Sequence, residues 1–266
     1  MTSIESAEAL RPARSTTTTL RDRGDVQVAV DDIDRTRPFL LLHGGGGPMT
    51  MTGFAHLLAE RTHARVLLPT HPGFAGTARS ESLASTRDLA LAYVELIEER
   101  DLADLTLIGN SFGGWLAAEI ALLHSPRVSG VVIVDGVGLQ VTGHPPTDVR
   151  GLTPDALAAL SFHDPAKSPA ARAAGSAGPS PDVQALVAYA GATMTDPTLE
   201  SRLADIDLPV HVLWGESDGI VDVDYGKAYA AAIPGSTFTL LPRTGHLPQV
   251  ETPEELLDAI LDLGRS

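Results

Sequence analysis

A serine on a tight turn is the residue with the clearest chemical meaning in this sequence. Ser111 lies at the centre of a Gly-Asn-Ser-Phe-Gly-Gly stretch at residues 109–114, between the apolar run 105–108 and an alanine-rich helical pattern. A strand, a sharp turn and a helix in this order hold a serine hydroxyl above the edge of a sheet, where it can act as a nucleophile. The alternative is that Ser111 only caps the helix, since serine is a favoured N-cap residue.

A base and a carboxylate that could activate this serine follow it in the chain. A serine hydroxyl needs a base to take its proton, and an imidazole needs a carboxylate that fixes its tautomer. Asp218 lies in a loop just past an apolar strand pattern, and His246 lies just past the next one. The order Ser, Asp, His is the one that accompanies this type of nucleophile turn. The sequence therefore predicts a catalytic triad of Ser111, Asp218 and His246.

A second aspartate competes for the role of the triad acid. Asp135 ends the apolar run 128–134 and is therefore also expected at the carboxyl end of a strand. We favour Asp218 because its loop directly precedes the strand that leads to His246. The alternative role for Asp135 is to accept hydrogen bonds from backbone N–H groups where the chain leaves its strand.

A glycine loop follows an earlier strand pattern. The apolar run 38–43 leads into four glycines at residues 44–47 and then Pro48. Glycines at a strand end allow backbone N–H groups to face a ligand without obstruction. Binding of a nucleotide is not favoured, because no Gly-x-Gly-x-x-Gly motif runs into a helix and no P-loop lysine follows.

The spacing of apolar runs and helical patterns predicts the architecture. Short apolar runs alternate with amphipathic helices, which is typical of a mostly parallel sheet covered on both faces. Ligands of such sheets bind beyond the carboxyl ends of the strands. His43, Ser111 and Asp135 are all expected at that edge.

One long segment interrupts this alternation. Residues 136–205 contain alanine-rich candidate helices near 153–161 and 182–194, and a linker-like tract rich in Pro, Ala, Ser and Gly at 165–181. We interpret 136–205 as a cap with a mobile portion, inserted into a core made of residues 20–135 and 206–266. The alternative is a surface loop without function. The polar residues 1–19 are expected to be a disordered lead-in.

Composition excludes several classes of function. The 266 residues suit one α/β domain with a modest insertion, and the absence of cysteine excludes disulfides and thiolate catalysis. The formal charge of −15 disfavours binding to nucleic acids or anionic membranes. No apolar stretch reaches the ~20 residues of a membrane span, and no signal peptide is visible. We expect a cytoplasmic protein with no cofactor and no metal, whose partner is a small-molecule substrate.

Taken together, the motifs resemble those of the α/β-hydrolase superfamily. They occur in the family's order at residues 41–48, 71–77, 109–114, 214–218 and 245–249. The resemblance implies a mostly parallel eight-stranded sheet with helices on both faces and a small helical cap. It also implies Ser111 as nucleophile, His246 as base, Asp218 as its orienting acid, and an oxyanion hole made by the backbone N–H groups of Gly45 and Phe112. One departure is His71, where the family commonly has aspartate.

Two branches of the family compete for the reaction. Hydrolysis of an ester or lactone needs only the triad and the oxyanion hole, and we favour it. The motifs at 109–114 and 43–46 also resemble those of carbon–carbon bond hydrolases of vinylogous diketones. That branch usually has tryptophan where this chain has Leu247, and it is expected to use a carboxylate-binding arginine. The arginines available for that role are Arg150, Arg172 and Arg202. A ligand receptor without catalytic activity, built on the same fold, is a further alternative.

Apolar side chains near the predicted site are candidates for substrate contacts. Each of them has ordinary core packing as its alternative role. The candidates are Trp115, Phe162, Tyr189, Met194 and Leu247.

Overall fold

The computed structural model describes residues 14–20, 26–33, 38–168 and 181–262. The strands are β1 (Arg14–Leu20), β2 (Val26–Ile33), β3 (Pro38–Leu42), β4 (Arg65–Thr70), β5 (Leu105–Asn110), β6 (Val128–Val134), β7 (Val210–Gly215) and β8 (Thr237–Leu241). The helices are α1 (Met49–Thr62), α2 (Thr86–Glu99), α3 (Phe112–Ala121), α4 (Pro154–Ser161), α5 (Pro181–Ala190), α6 (Leu199–Leu203), α7 (Val223–Ala232), α8 (Pro248–Glu251) and α9 (Pro253–Asp262).

The strands form a single eight-stranded sheet. Their spatial order is β1-β2-β4-β3-β5-β6-β7-β8. β1 pairs with β2, and β2 with β4, in antiparallel fashion, whereas every other pairing is parallel. Helices must cover both faces of parallel strands, so the central strands are almost wholly buried, which explains their continuous apolar runs. The predicted α/β fold with a mostly parallel eight-stranded sheet is confirmed.

Two apolar layers cover the sheet. On one face, α1 and α9 contribute side chains such as Phe54 and Leu257. On the other face, α2, α3 and α7 pack with Leu89, Leu116 and Tyr229. The two layers hold the strands rigidly, so the loops at the carboxyl ends of β3, β5, β6, β7 and β8 have fixed positions relative to one another.

The predicted disordered lead-in is wrong for residues 14–19. These residues belong to β1, whose β-branched threonines pair with β2 in a regular antiparallel register. Leu20 is buried in the core, and the Arg100 guanidinium donates hydrogen bonds to the hydroxyls of Thr16 (2.6 Å) and Thr18 (2.7 Å). The strand is polar because it lies at the edge of the sheet. Residues 1–13 lie outside the described residues.

The long segment between β6 and β7 contains α4, α5 and α6. The predicted helix near 182–194 ends earlier, since α5 stops at Ala190. Of the tract predicted to be linker-like, Pro165–Lys167 form a short 3-10 helix. Residues 169–180 of that tract lie outside the described residues. The division into a core and a cap at residues 136–205 stays a prediction.

Candidate active site

Ser111 occupies a strained turn between β5 and α3. Its φ of 56° and ψ of −119° are uncommon for a residue with a side chain. A Cβ at Gly109 would lie 2.0 Å from the carbonyl oxygen of Gly113, and one at Gly113 would lie 1.9 Å from that of Leu42. Both positions therefore require glycine. Among the described residues, no group forms a hydrogen bond with the Ser111 hydroxyl, which leaves it available to a substrate.

His246 and Asp218 form a buried pair beyond β8 and β7. The Nδ1 atom of His246 donates to Oδ2 of Asp218 over 2.7 Å. Oδ1 of Asp218 accepts from the backbone N–H groups of Ile220 (2.7 Å) and Val221 (3.1 Å), so the carboxylate is fixed from two sides. Because Nδ1 carries the proton, Nε2 is the basic nitrogen of the ring.

Asn110 ties the histidine loop to the nucleophile turn. Its side-chain amide donates to the carbonyl oxygens of His246 (2.9 Å) and Val134 (3.3 Å), and its Oδ1 accepts from Gln249 Nε2 (3.0 Å). The residue directly before Ser111 is therefore bonded to the backbone of His246. This role of Asn110 has one signal in the sequence, which is its position within the serine motif.

Asp135 lies next to this pair without bonding to the imidazole. Its Oδ1 accepts from the backbone N–H of Gly215 over 2.7 Å, which is the backbone-capping role considered as its alternative. One ligand atom each of Asp135, Asp218 and His246 lies within 4.8 Å of the others. That spacing would also suit a metal ion, but the direct hydrogen bond between His246 and Asp218 explains the grouping without one. Burial, followed by the charge of Asp218, raises the pKa of Asp135 well above its ordinary value.

Two backbone N–H groups are free to bind an oxyanion. The N–H of Phe112 is at the first position of α3, where helical N–H groups lack intrahelical acceptors. Neither this group nor the N–H of Gly45 has an acceptor among the described residues. A Cβ at Gly44 would lie 2.9 Å from the Cβ of Ser111, so the glycine loop lies directly against the nucleophile. Phe112 directly follows Ser111, and Gly45 directly follows the glycine that contacts it; the oxyanion hole of Gly45 and Phe112 stays a prediction.

A neutral pair of histidines supports the glycine loop. Nε2 of His43 accepts from the His71 backbone N–H (3.1 Å), so its Nδ1 carries the proton and donates to the Gly44 carbonyl (2.8 Å). Nε2 of His71 donates to the His43 carbonyl (3.0 Å), and its Nδ1 accepts from the Tyr93 hydroxyl (2.6 Å). Burial lowers the pKa of His43 to about 4 and that of His71 well below its ordinary value. The Tyr93 hydroxyl and the His43 carbonyl thus satisfy both ring nitrogens of His71.

Helix α5 covers the oxyanion side of the site. A Cβ at Gly45 would lie 2.8 Å from Cδ2 of Leu186, so this side chain rests directly on the glycine loop. The ring of Tyr189 stacks on that of Phe112 with centroids 6.0 Å apart. Its hydroxyl donates to the carbonyl of Pro72 over 2.9 Å. Side-chain contacts therefore hold α5 in place.

Helix α4 is bonded to the triad loops through the backbone. The N–H of Gly219 donates to the carbonyl of Leu160, and the N–H of His246 to that of Ser161, each over 2.9 Å. The buried carboxylate of Glu251 reinforces this junction. It accepts from the backbone N–H groups of Gly245 (2.7 Å), His163 (3.0 Å) and Asp164 (2.7 Å).

Two of the cavities among the described residues border the segment between β6 and β7. The larger, of about 640 Å³, is bounded by residues 140–150, by α5 and by residues 192–200, and Leu186 and Met194 line it. Leu186 connects this cavity to the glycine loop, because it lines the cavity and also covers Gly45. Neither Ser111 nor His246 lines the cavity.

The predicted substrate contacts are distributed unevenly. A second cavity, of about 500 Å³, is lined by Trp115 and Tyr189. Phe162 and Leu247 line neither of these two cavities. Phe162 is buried and packs against Gly245 of the histidine loop, and Leu247 immediately precedes α8.

The candidate carboxylate-binding arginines are already paired where the structure describes them. Arg202 makes two hydrogen bonds to the buried carboxylate of Glu119 (2.7 and 2.8 Å) and one to Asp196 (2.7 Å). Arg150 forms a bidentate pair with Asp148 (2.8 and 2.7 Å) at the wall of the larger cavity. Arg172 lies outside the described residues.

Comparison with known proteins identifies the family. The model of the Alpha/beta hydrolase family matches residues 39–259. The chain belongs to this family. The predicted resemblance and the predicted enzyme class, an α/β-fold hydrolase, are therefore confirmed. No helix in the described part of the chain has the length and apolarity needed to cross a membrane.

Proteins that are similar to this chain are known by different reactions. A 2-hydroxy-6-oxo-2,4-heptadienoate hydrolase of Pseudomonas putida is 24% identical over 252 residues, covering 86% of this chain and 89% of the relative. A bromoperoxidase from Bacillus anthracis superimposes with a TM-score of 0.77 at 18% identity, over 95% of this chain and 100% of its own. A thermophilic esterase from Thermogutta terrifontis has a TM-score of 0.74 at 24% identity, over 95% and 98%. The shared fold thus hosts more than one chemistry.

Proposed function

We propose that this hydrolase cleaves an ester or lactone of a small organic substrate through an acyl-enzyme formed on Ser111. The observation that carries the proposal is the meeting of three features at one edge of the sheet. These are the unpaired hydroxyl of Ser111 on its strained turn, the hydrogen-bonded pair of His246 and Asp218, and two backbone N–H groups, at Phe112 and in the glycine loop, without acceptors among the described residues. Acyl transfer requires a nucleophile, a base and an oxyanion site, and nothing more.

The geometry suggests how each group acts in this reaction. Ser111 Oγ attacks the acyl carbonyl while Nε2 of His246 takes its proton, and Asp218 stabilises the imidazolium that forms. The N–H groups of Gly45 and Phe112 donate to the oxyanion, where losing one donor typically costs about 3 kcal/mol of barrier. His246 then returns the proton to the leaving alcohol. A water molecule, deprotonated by the same imidazole, releases the acid and regenerates Ser111.

The charges around the site favour a neutral ester or lactone over an anionic substrate. Arg150 and Arg202 are both occupied by carboxylates, so neither offers a free cation to a substrate carboxylate. The covering helix presents the apolar side chain of Leu186 to the glycine loop. An uncharged acyl group fits such a wall because it brings no charge that must be desolvated.

The test is a substitution of the nucleophile. Ser111→Ala is expected to lower kcat for p-nitrophenyl esters by at least ~1,000-fold, because the acyl-enzyme cannot form. Circular dichroism and thermal unfolding should match the wild type, and the exposed Ser201→Ala serves as the matched control with full activity. Retention of full ester turnover by Ser111→Ala would show that the proposed mechanism is wrong.

Carbon–carbon bond hydrolysis is the second candidate, and similarity to the 2-hydroxy-6-oxo-2,4-heptadienoate hydrolase of Pseudomonas putida favours it. Ring-fission diketones assayed beside aryl esters and lactones discriminate between the two reactions. A kcat/KM for the diketone at least ~100-fold above that for the best ester would support the second candidate. Labelling of Ser111 by a fluorophosphonate probe without turnover of any substrate would support a receptor instead.

A further inference from the structure

We propose that Asp135 is a positioning residue of the triad, whose carboxyl group carries a proton and donates it in a hydrogen bond to the carboxylate of Asp218. The inference rests on the proposed function, since it assigns Asp218 the task of orienting His246. It adds a second acid, which the triad alone does not require.

The first observation is an unpaired oxygen. Asp135 is fully buried, and its Oδ1 accepts from the N–H of Gly215. Its Oδ2 is buried and accepts no hydrogen bond from any described residue. A buried carboxylate oxygen without a donor is costly. A proton on this oxygen removes the cost if an acceptor is within reach.

The second observation is the neighbour of this oxygen. Asp218 reaches Asp135 from the loop after β7, and His246 reaches it from the loop after β8, with one ligand atom of each within 4.8 Å. From α7, Tyr229 packs against Gly136, and burial raises the pKa of its phenol well above the ordinary value, so the phenol is neutral. A carboxylate accepts hydrogen bonds more strongly than a neutral phenol, so Asp218 is the favoured acceptor for a proton on Asp135.

The hydrogen-bond partners decide which of the two carboxyl groups keeps the charge. Asp218 accepts three hydrogen bonds, from the N–H groups of Ile220 and Val221 and from His246 Nδ1. Asp135 accepts one, from Gly215. Ionising two adjacent buried carboxyl groups costs too much free energy. The group that accepts more hydrogen bonds therefore retains the negative charge. Asp218 is accordingly the anion and Asp135 the acid, and the raised pKa of Asp135 agrees with this assignment.

This arrangement has two consequences for His246. A hydrogen bond from Asp135 spreads the charge of Asp218 and so limits how strongly the imidazolium is stabilised. If the charge of Asp218 is removed, its repulsion no longer opposes ionisation of Asp135, and only burial does. Asp135 can then release its proton and supply the missing negative charge beside the imidazole.

The first experiment compares Asp135→Asn with Asp135→Ala in the pH dependence of kcat/KM for an aryl ester. Asparagine is neutral, can donate to Asp218 and can accept from Gly215. The acid limb of the pH profile of kcat/KM should therefore keep its position. Alanine removes the donor, so the acid limb should move to higher pH. A shift of the acid limb to lower pH by one unit or more in Asp135→Asn would mean that a negative charge had been removed. This result would overturn the proposal. A purely structural role would lower stability in Asp135→Ala without moving the limb, and this result would also overturn it.

The second experiment tests the replacement of one acid by the other. Asp218→Asn should retain at least tenfold more activity at high pH than the double variant Asp135→Asn/Asp218→Asn. Equal residual activities would contradict the assignment. A third measurement needs no substrate: difference infrared spectroscopy at neutral pH should show a protonated carboxyl band that Asp135→Asn lacks. If the wild type hydrolyses no ester yet shows this band, the proposed function fails and the protonated acid stands; if the band is missing, the proposal about Asp135 fails.

Discussion

The two helices that cover the proposed site are attached in different ways. On the base side, α4 is bonded to the loops of Asp218 and His246 through backbone N–H and carbonyl groups. On the oxyanion side, α5 rests on the glycine loop through Leu186, and on Phe112 and the Pro72 carbonyl through Tyr189. Backbone hydrogen bonds do not depend on which side chain occupies a position, whereas side-chain contacts do.

This difference suggests that the base side and the oxyanion side meet different requirements. The base must keep one geometry for proton transfer, so a rigid attachment on its side protects that geometry. The oxyanion side must admit substrates of different shapes, and a helix held by side chains can be adapted by substitution without disturbing the sheet. The comparison predicts large stability effects on the base side and smaller, substrate-dependent effects on the oxyanion side.

The largest expected effect is the loss of the acid that reinforces the base side. Glu251→Ala should lower the free energy of unfolding by about 4 kcal/mol, because three backbone N–H groups lose a charged acceptor. Urea unfolding measures this change. The control is Glu254→Ala, which removes a half-exposed partner of Arg61 and should cost at most about 1 kcal/mol. Equal costs for both variants would show that hydrogen bonding does not hold the base side.

Acid is expected to destabilise the support of the oxyanion side. His43 is neutral in the fold with a pKa of about 4, against 6.5 in the unfolded chain. Its neutral form is favoured at high pH, so this stability is complete above pH 6.5 and is lost as the pH falls toward 4, amounting to about 3 kcal/mol. The free energy of unfolding, measured at pH 7, 5.5 and 4.5, should fall with the pH, and His43→Gln should reduce this pH dependence. The exposed His56→Gln on α1 is the control. An unchanged slope in His43→Gln would contradict the assignment.

A smaller and substrate-dependent effect is expected at the covering side chain of α5. Leu186→Ala removes the group that rests on Gly45, so kcat/KM for bulky aryl esters should rise about tenfold while that for a p-nitrophenyl acetate changes little. Val183→Ala is the matched control, since Val183 lines the same cavity. If both substitutions changed kcat/KM equally for both esters, Leu186 would have no special position over the glycine loop.

The smallest effect should follow from loss of a single hydroxyl on α5. Tyr189→Phe keeps the ring on Phe112 but loses the hydrogen bond to Pro72, so the free energy of unfolding should fall by about 1 kcal/mol. Tyr225→Phe loses a comparable bond to Leu139, away from α5, and gives the reference value in the same thermal unfolding assay. A loss in Tyr189→Phe as large as that in Glu251→Ala would remove the contrast between the two sides.

The fold and the main elements of the site could be predicted because their signals are local. The central strands are continuous apolar runs, and the turn at Ser111 needs glycines that the sequence displays. β1 was missed because its threonines are polar, and only their register with β2 makes them a strand.

The supporting contacts could not be predicted, since they join residues far apart in the chain. Glu251 bonds to His163, 88 positions away, and Asn110 to His246, 136 positions away. Nothing in the local pattern around Glu251 distinguishes it from an ordinary polar residue, and the one local signal for Asn110 is its place within the serine motif. In the same way, two strand ends indicate that Asp135 and Asp218 lie at one edge but give no distance between their carboxyl groups.

The placement of the two tryptophans has an optical consequence. Trp115 packs edge-on against Phe112 beneath the proposed site, whereas Trp214 lies deep in the core between Tyr225 and Tyr229. Replacing Trp214 by phenylalanine would leave a single tryptophan, located one helical turn from a proposed oxyanion donor. Its emission would report ligand binding directly in the Ser111→Ala protein, where no product is released to be detected.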